Sequence, residues 1–182
     1  MNKGERNNLR WAEDFLKRAA AGVSAQDEIQ VGKIADEVGI SVERLPKLLA
    51  GLEAADALRR DGQRWSLTAK GWAQGRQTLR AHRIYEGYLA EQTGLHPAEC
   101  HAEADRREHE LDPQTVNRMA AELNRPRFDP HGDAIPTRGL EMEEAIRRRQ
   151  VLTLDKITGF RVRLTDAQAS ANRVCRSVLS PH

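Results

Sequence analysis

Residues 101–110 read HAEADRREHE, a polar stretch that decides how the helical half of this chain is interpreted. At 3.6 residues per turn, positions i, i+4, i+7 and i+8 lie on one face of a helix. The side chains on that face are all of metal-binding types: His101, Asp105, Glu108 and His109. A solvated face built only of charge more usually carries Lys and Glu. The alternative is a plain surface with ion pairs to Arg106 and Arg107.

Composition places the chain among soluble proteins. It has 182 residues, 39% of them hydrophobic and 31% charged, which suits one domain of ordinary size or two small ones. No apolar run approaches the ~20 residues of a membrane span, and the polar start does not resemble a signal peptide. We therefore expect a cytoplasmic protein with no membrane partner. The two cysteines lie far apart without a C-x-x-C pair, which argues against a zinc ribbon or a disulfide scaffold.

The first 75 residues have the element order of a winged helix-turn-helix. The pattern predicts a helix over 8–21, a short helix from 31 ending at Gly39, and a third over 42–58 with Ser41 as its N-cap. Two strand-like pieces then flank Asp61-Gly62, a dipeptide favoured in tight hairpins. The net charge of +2 is uninformative about nucleic acid, so the DNA-binding hypothesis rests on this pattern.

Candidate DNA contacts lie on the predicted third helix and on the hairpin. They are Ser41, Arg44 and Lys47 on the helix, and Arg59, Arg60 and Arg64 on the wing. Pro46 falls about a turn into this presumed recognition helix, where it removes a backbone donor and would bend the axis. Winged helices also serve as protein-interaction modules, so the same pattern is compatible with a partner other than DNA.

The remainder is predicted to be mainly helical. Helices are expected over 68–94, 96–111 and 113–124, followed by a turn-rich segment at 125–139. A further helix is predicted over 141–150, and strand-like residues follow at 151–166. The expected fold is therefore mainly α with a small β wing. Its parts are a winged helix-turn-helix at 1–75, a second, helical domain at 76–138, and a tail at 139–182.

The long helix adds a second group of candidate ligands. His82 and Glu86 form an i, i+4 pair, so two packed helices facing each other could enclose one or two divalent cations. With no thiolate in the set, ligand hardness favours manganese or ferrous iron, although the Irving–Williams order lets zinc, nickel or cobalt bind in vitro. Cys100 points away from the face of His101, and we interpret it and His131 as structural or incidental.

Three segments carry a family resemblance: LRAHRIYEGYL, GLHPAECHAEADRREHEL and RPRFDPHGDAIP. With the upstream winged helix, they resemble the diphtheria-toxin-repressor type of metal-dependent regulator, which includes iron-dependent repressors and manganese transport regulators. The resemblance covers about residues 8–138. It implies a homodimer that binds a near-palindromic operator in double-stranded DNA when Mn(II) or Fe(II) is bound, with up to two ions per subunit. The tail resembles the opening strands of the family's SH3-like domain but is too short to complete it.

The resemblance also implies ligand roles. Asp105, Glu108 and His109 correspond to a primary, activating site, and His82, Glu86 and His101 to an ancillary site. Asp14, in WAEDFLKR, corresponds to a ligand from the first helix. Iron-type members usually have Met and Cys where this chain has Asp14 and Asp105, so the carboxylates favour manganese.

Lys17 departs from the pattern of the manganese regulators, which usually carry a further acidic ligand at this position. Lys17 therefore argues against a binuclear manganese site of that kind. The ligands of two metals could then be grouped in another way.

The function predicted is a metal-dependent transcriptional repressor of metal-homeostasis genes, not an enzyme. Two alternatives stay open: a carboxylate-bridged di-metal enzyme in a helical bundle, and a winged-helix regulator that does not sense metal. Oxygen consumption with ferrous iron would favour the enzyme, whereas metal-dependent retardation of DNA would favour the regulator.

Overall fold

The computed structural model describes residues 3–22 and 28–141, in which helices predominate and a single two-stranded antiparallel hairpin is present. The elements in chain order are α1 Lys3–Gly22, α2 Val31–Glu37, α3 Leu45–Ala54, β1 Leu58–Asp61, β2 Arg64–Leu67, α4 Ala69–Thr93, α5 Pro97–Arg107, a 3-10 turn Glu108–Glu110, and α6 Pro113–Glu122. The prediction of a mainly helical fold with a small wing is confirmed. None of the described helices is long and apolar enough to span a membrane.

The first core joins α1, α2, α3 and the hairpin. Phe15 and Leu16 of α1 are buried against Leu49, Leu52 and other apolar side chains of this cluster. Burying each such side chain contributes about 1.5–3 kcal/mol. The helix predicted over 8–21 starts earlier, at Lys3, and ends at Gly22 as expected. The N-terminal elements therefore pack as one body with α1 inside it.

The start of α3 differs from the prediction. Ser41 is not its N-cap: the helix begins at Leu45 with Arg44 as N-cap and no side-chain capping bond. The Ser41 carbonyl instead accepts hydrogen bonds from the amides of Arg44 and Leu45, in a separate turn before the helix. Pro46 consequently lies in the first turn of α3, where its missing N–H leaves no bond unmade. Pro46 therefore gives no reason for the bend in the axis of α3 that the sequence predicted.

The hairpin forms where the sequence indicates it, with Leu58 opposite Leu67 and Asp61 opposite Arg64. Asp61 is the last residue of β1, so the turn is made by Gly62 and Gln63 rather than by Asp61-Gly62. Gly62 has a φ of 59°, a conformation that glycine adopts without strain.

Helix α4 spans both halves of the described chain and connects them. Its N-cap is Thr68, whose hydroxyl accepts a hydrogen bond from the Gly71 amide, and its C-cap is Gly94, with a φ of 64°. A Cβ on Gly75 would lie 2.3 Å from the Leu16 carbonyl oxygen, so α1 packs directly on the backbone of α4. This close approach holds the winged-helix elements against the helix that carries His82 and Glu86.

A second core lies at the other end of α4. Ile84 is fully buried among residues of α6 and of the segment that follows, including Val116, Ala120 and Ile135. Arginines of α4 fix that segment through its carbonyls: Arg80 donates to Pro136 at 2.7 Å, and Arg83 donates to Ala134. The predicted 139–182 domain, its helix and its strands lie outside the described residues except for 139–141.

Candidate metal centre

Helices α1, α4 and α5 line a cleft of about 580 Å³, and the 3-10 turn adds two further candidate ligands that contact its lining residues. Helix α1 contributes Asp14, and α4 contributes His82 and Glu86. Helix α5 contributes His101 and Asp105, and the 3-10 turn contributes Glu108 and His109. The structure thus brings together all seven candidate ligands of the sequence, although they come from segments up to about ninety residues apart.

Within the described residues the seven side chains form three triads, in each of which one donor atom per residue lies within 4.8 Å of the others. The triads are His82–Glu86–His101, Asp14–Glu108–His109 and His82–Asp105–Glu108.

The His82–Glu86–His101 triad lies between α4 and α5. Nε2 of His82 is 3.2 Å from Nδ1 of His101, which is 3.3 Å from Oε1 of Glu86. The Glu86 side chain is only 1% exposed, whereas that of His101 is 55% exposed. One buried carboxylate and two imidazoles, open to solvent on one side, form a donor set suited to a divalent transition-metal ion.

The Asp14–Glu108–His109 triad joins α1 to the 3-10 turn. Nε2 of His109 lies 3.1 Å from Oδ1 of Asp14 and 3.5 Å from Oε1 of Glu108. Both Nε2 of His109 and Oε1 of Glu108 are buried without a well-oriented hydrogen bond among the described residues. Each atom nevertheless faces an oppositely charged group, Oδ1 of Asp14 at 3.1 Å from Nε2 of His109 and Nζ of Lys17 at 2.7 Å from Oε1 of Glu108. Two carboxylates and one imidazole form a donor set suited to a divalent cation.

The acidic surroundings of His109 change its protonation. Nδ1 of His109 is 2.6 Å from Oε2 of Glu13. Burial lowers the pKa of His109, but its hydrogen bonds to Asp14 and Glu13 and the charge of Glu108 outweigh this and raise the pKa to about 9. Without a metal, the ring therefore carries a proton at neutral pH, and that proton has to leave before Nε2 can bind an ion.

The third triad contains an ammonium group. Nζ of Lys17 lies 3.0 Å from Oδ1 of Asp105 and 2.7 Å from Oε1 of Glu108. Burial lowers the pKa of Lys17, and the charges of Glu108 and Asp105 outweigh that effect, so the pKa is raised overall. For Asp105, burial raises the pKa, but the charge and hydrogen bond of Lys17 dominate and lower it. Both groups are therefore charged at neutral pH.

The grouping of ligands agrees with the one that the resemblance implied at His82–Glu86–His101 and at Asp14–Glu108–His109, and it differs at Asp105. Asp105 shares a triad with His82 and Glu108, and His109 shares one with Asp14 instead. The physical reason is that α5 ends at Arg107 and the chain continues as a 3-10 turn. At three residues per turn, Glu108 and His109 no longer follow the angular spacing of the α-helix that contains Asp105.

Two contacts of the site were not anticipated. His131, expected to be structural or incidental, places Nε2 2.9 Å from Oε1 of Glu86. A tight turn directs it there, since Asp129 accepts from the amides of His131 and Asp133. Glu13 contacts His109 beside Asp14. The sequence gives weak signals for both, because a loop histidine and an acid next to a ligand are common. Cys100 is buried and donates to the Leu95 carbonyl.

The candidate DNA contacts are exposed on α3, the turn before it, and the wing. Some of them also contact the protein: Arg44 stacks 4.3 Å from the Trp11 ring centroid, Arg60 donates to the Gly62 carbonyl at 2.8 Å, and Arg64 pairs with Glu28 at 3.3 Å. These contacts do not test DNA binding. Roles in DNA binding therefore stay predictions for Ser41, Arg44, Lys47, Arg59, Arg60 and Arg64.

Comparison with known proteins gives a consistent picture. Residues 68–137 match the family model of the iron dependent repressor metal binding and dimerisation domain. The iron-dependent repressor IdeR of Mycobacterium leprae is 34% identical over 105 residues, which are 57% of this chain and 46% of that protein. The transcriptional regulator MntR of Listeria monocytogenes serotype 4a is 25% identical over 126 residues, 69% of this chain and 87% of that protein.

A solved structure of the manganese regulator SloR superposes with a TM-score of 0.64 at 29% identity, covering 72% of this chain and 63% of that one. The chain thus spans about half the length of the iron-dependent relative and less than two thirds of the SloR chain. The matched domain and the winged-helix elements before it agree in pointing to one group of proteins. Residues 68–137 therefore match the metal-binding and dimerisation domain of iron-dependent repressors, and the chain is similar over a wider range to iron-dependent repressors and manganese regulators.

Proposed function

We propose that this protein is a transcriptional repressor of metal-homeostasis genes that binds its operator when Mn(II) or Fe(II) occupies the candidate metal centre. The named relatives are an iron-dependent repressor and the HTH-type transcriptional regulator MntR, and a similar solved structure is a manganese-dependent transcriptional repressor in complex with manganese. Two alternatives remain: a carboxylate-bridged di-metal enzyme, and a winged-helix regulator that does not sense metal.

One observation carries the proposal: the Asp14–Glu108–His109 triad takes one ligand from α1 and two from the helical half. Helix α1 is packed into the winged-helix core through Phe15 and Leu16. A cation held jointly by these three side chains supplies the positive charge that draws Asp14 toward Glu108 and fixes α1 against the 3-10 turn. Orientation of the winged helix is thereby coupled to metal concentration, and a coupling of about 1–3 kcal/mol changes DNA affinity roughly 5- to 150-fold.

The donor set supports the choice of metal. Among the described residues the three triads contain only carboxylate oxygens and imidazole nitrogens, with no thiolate. Such ligands suit Mn(II) and Fe(II) by hardness, while zinc and cadmium would bind in vitro as competitors. Up to two ions per subunit fit, one at His82–Glu86–His101 and one at Asp14–Glu108–His109.

DNA recognition in this proposal uses a homodimer formed mainly by the helices between 76 and 125. Each subunit presents α3 to the major groove and its wing to the backbone, and two recognition helices in successive grooves lie roughly 34 Å apart. The operator is then a near-palindrome, and the protein works in the cytoplasm as a winged helix-turn-helix (1–75) joined to a metal-binding and dimerisation domain (76–138).

The experiment is a gel-retardation titration of metal-stripped protein on the DNA upstream of its own gene, with Mn(II), Fe(II), Zn(II) or chelator. Manganese or ferrous iron is expected to tighten binding at least 5-fold over chelator. Equal retardation with and without metal would contradict metal control. Oxygen consumption with Fe(II), in the absence of DNA retardation, would favour the enzyme.

A further inference from the structure

Lys17 is placed on the face of α1 that contacts α5 and the 3-10 turn. The same face carries Arg10, whose guanidinium donates to the carbonyls of Asp105 and Arg106 at 3.0 and 2.9 Å. Asp14 lies between the two in sequence, so Arg10, Asp14 and Lys17 follow i, i+4, i+7 spacing. Helix α1 therefore docks on α5 and the 3-10 turn with Arg10 on one side of the candidate ligand Asp14 and Lys17 on the other.

The Lys17 ammonium is surrounded by the oxygens of the third triad. Its Nζ lies 3.0 Å from Oδ1 of Asp105, 2.7 Å from Oε1 of Glu108 and 3.0 Å from Oε2 of Glu108. Its side chain is only 16% exposed, and that of Glu108 is fully buried. An ammonium has three donors, and here three carboxylate oxygens lie within hydrogen-bonding distance of it.

A divalent ion would need the same oxygens. Oxygen ligands bind such ions at about 2.0–2.2 Å, so an ion held by both Asp105 and Glu108 would need the space that Nζ fills between their oxygens. Two cations held by the same oxygens in a half-buried cleft repel each other strongly. The ammonium and a divalent ion therefore exclude each other between these two carboxylates.

We propose that Lys17 is a built-in cation that closes the His82–Asp105–Glu108 triad to divalent ions and leaves the two flanking triads as the ion sites. The inference rests on the proposed function only in taking the flanking triads as metal sites. The donor atoms separate accordingly: His82 directs Nε2 toward Glu86 and His101, while its Nδ1 lies 2.6 Å from Oε2 of Glu108. Removing the ammonium frees two carboxylates without removing any ligand of the flanking triads.

The test is manganese binding by the full chain without DNA, measured by the electron paramagnetic resonance signal of free Mn(II). Lys17→Gln and Lys17→Met both remove the charge, and two different neutral side chains guard against a single misfolded variant. Arg18→Gln is the matched control, because Arg18 is the next residue and pairs with Glu37 outside the triads. Circular dichroism verifies that each variant is folded.

Both Lys17 variants are expected to bind one more equivalent of manganese per chain than the parent, and Arg18→Gln the parental number. In manganese-soaked crystals, anomalous scattering should place the added ion between Asp105 and Glu108 in the variants and not in the parent. An unchanged number of ions in folded Lys17 variants overturns the inference while leaving the proposed function intact. A parent that binds manganese but never DNA overturns the proposed function alone, and a parent and variants that all bind no manganese overturn both.

Discussion

Oδ1 of Asp14 in α1 lies 3.1 Å from Nε2 of His109 in the 3-10 turn. The two residues are separated by almost a hundred positions in sequence, and they belong to the two halves that α4 connects. Since His109 also approaches Oε1 of Glu108, this contact places three potential ligands around one point. The proposed control of DNA binding by metal depends on this contact.

The first prediction concerns the pH dependence of stability. The pKa of His109 is raised to about 9 in the folded, metal-free protein, against an ordinary value of 6.5. Its contribution is therefore fully present below about pH 6.5 and is lost as the pH rises through about 9. Urea denaturation of metal-stripped protein at a series of pH values is expected to show a falling free energy of unfolding across this window.

Glu13→Gln provides the comparison for the pH series, because it removes one of the two carboxylates that hydrogen-bond to His109. The decline between pH 6.5 and 9 should be smaller in this variant. Identical declines in parent and variant would show that His109 is not the group responsible.

The second prediction concerns His131, which contacts Oε1 of Glu86 at 2.9 Å. A residue that orients a ligand in this way commonly contributes about 10- to 100-fold in metal affinity. His131→Ala is expected to weaken manganese binding at the His82–Glu86–His101 triad by that factor, as measured by calorimetry. His96→Asn is the control, since it removes an imidazole outside the site and keeps a good helix N-cap. Equal losses in the two variants would exclude a specific role for His131.

The third prediction tests the packing of α1 on α4. Gly75→Ala places a methyl group 2.3 Å from the Leu16 carbonyl oxygen, so the helices have to separate. The expected cost is about 1–3 kcal/mol in the free energy of unfolding, measured by denaturant titration. Gly87→Ala, on the same helix, meets nothing closer than 3.6 Å and should instead gain up to about 1 kcal/mol from helix propensity. A neutral Gly75→Ala would show that the close approach is not present in solution.

The fourth prediction concerns the wing. Arg59 is exposed on β1, and we expect it to contact a DNA phosphate. Arg59→Ala should weaken DNA binding across sequences and lower the slope of log affinity against log salt by about 1. Arg118→Ala on α6 removes an equal charge far from the wing in sequence and should leave that slope unchanged. A parental slope in Arg59→Ala would place this side chain away from the DNA.

The sequence predicts element types well because they depend on local spacing, whereas the roles of the candidate ligands stay predictions. His82 and Glu86 at i, i+4 on a long helix, and a hairpin with Gly62 in its turn, are local signals that the structure retains. The helix start at Leu45 was missed because Ser41 is a good N-cap in general, whereas a separate turn precedes α3 here.

The place of Asp105 among the triads could not be predicted, because it depends on tertiary packing. Spacing on one helix places Asp105 with His109, but the 3-10 turn and the docking of α1 separate them. The sequence shows Lys17 at a position where the manganese regulators usually have an acidic ligand. Only the structure, however, places its ammonium between Asp105 and Glu108. The approach of His131 to Glu86 depends likewise on a loop folding back across α4.

The most direct test of the central claim is an operator-binding titration with manganese, comparing the parent with Asp14→Ala. Glu91→Ala serves as the matched control, an exposed acid on α4 outside the triads. Fluorescence anisotropy should show manganese-stimulated binding for the parent and Glu91→Ala, and no stimulation for a folded Asp14→Ala. If Asp14→Ala responds to manganese as the parent does, the ion does not couple α1 to the helical half, and the proposed mechanism is wrong.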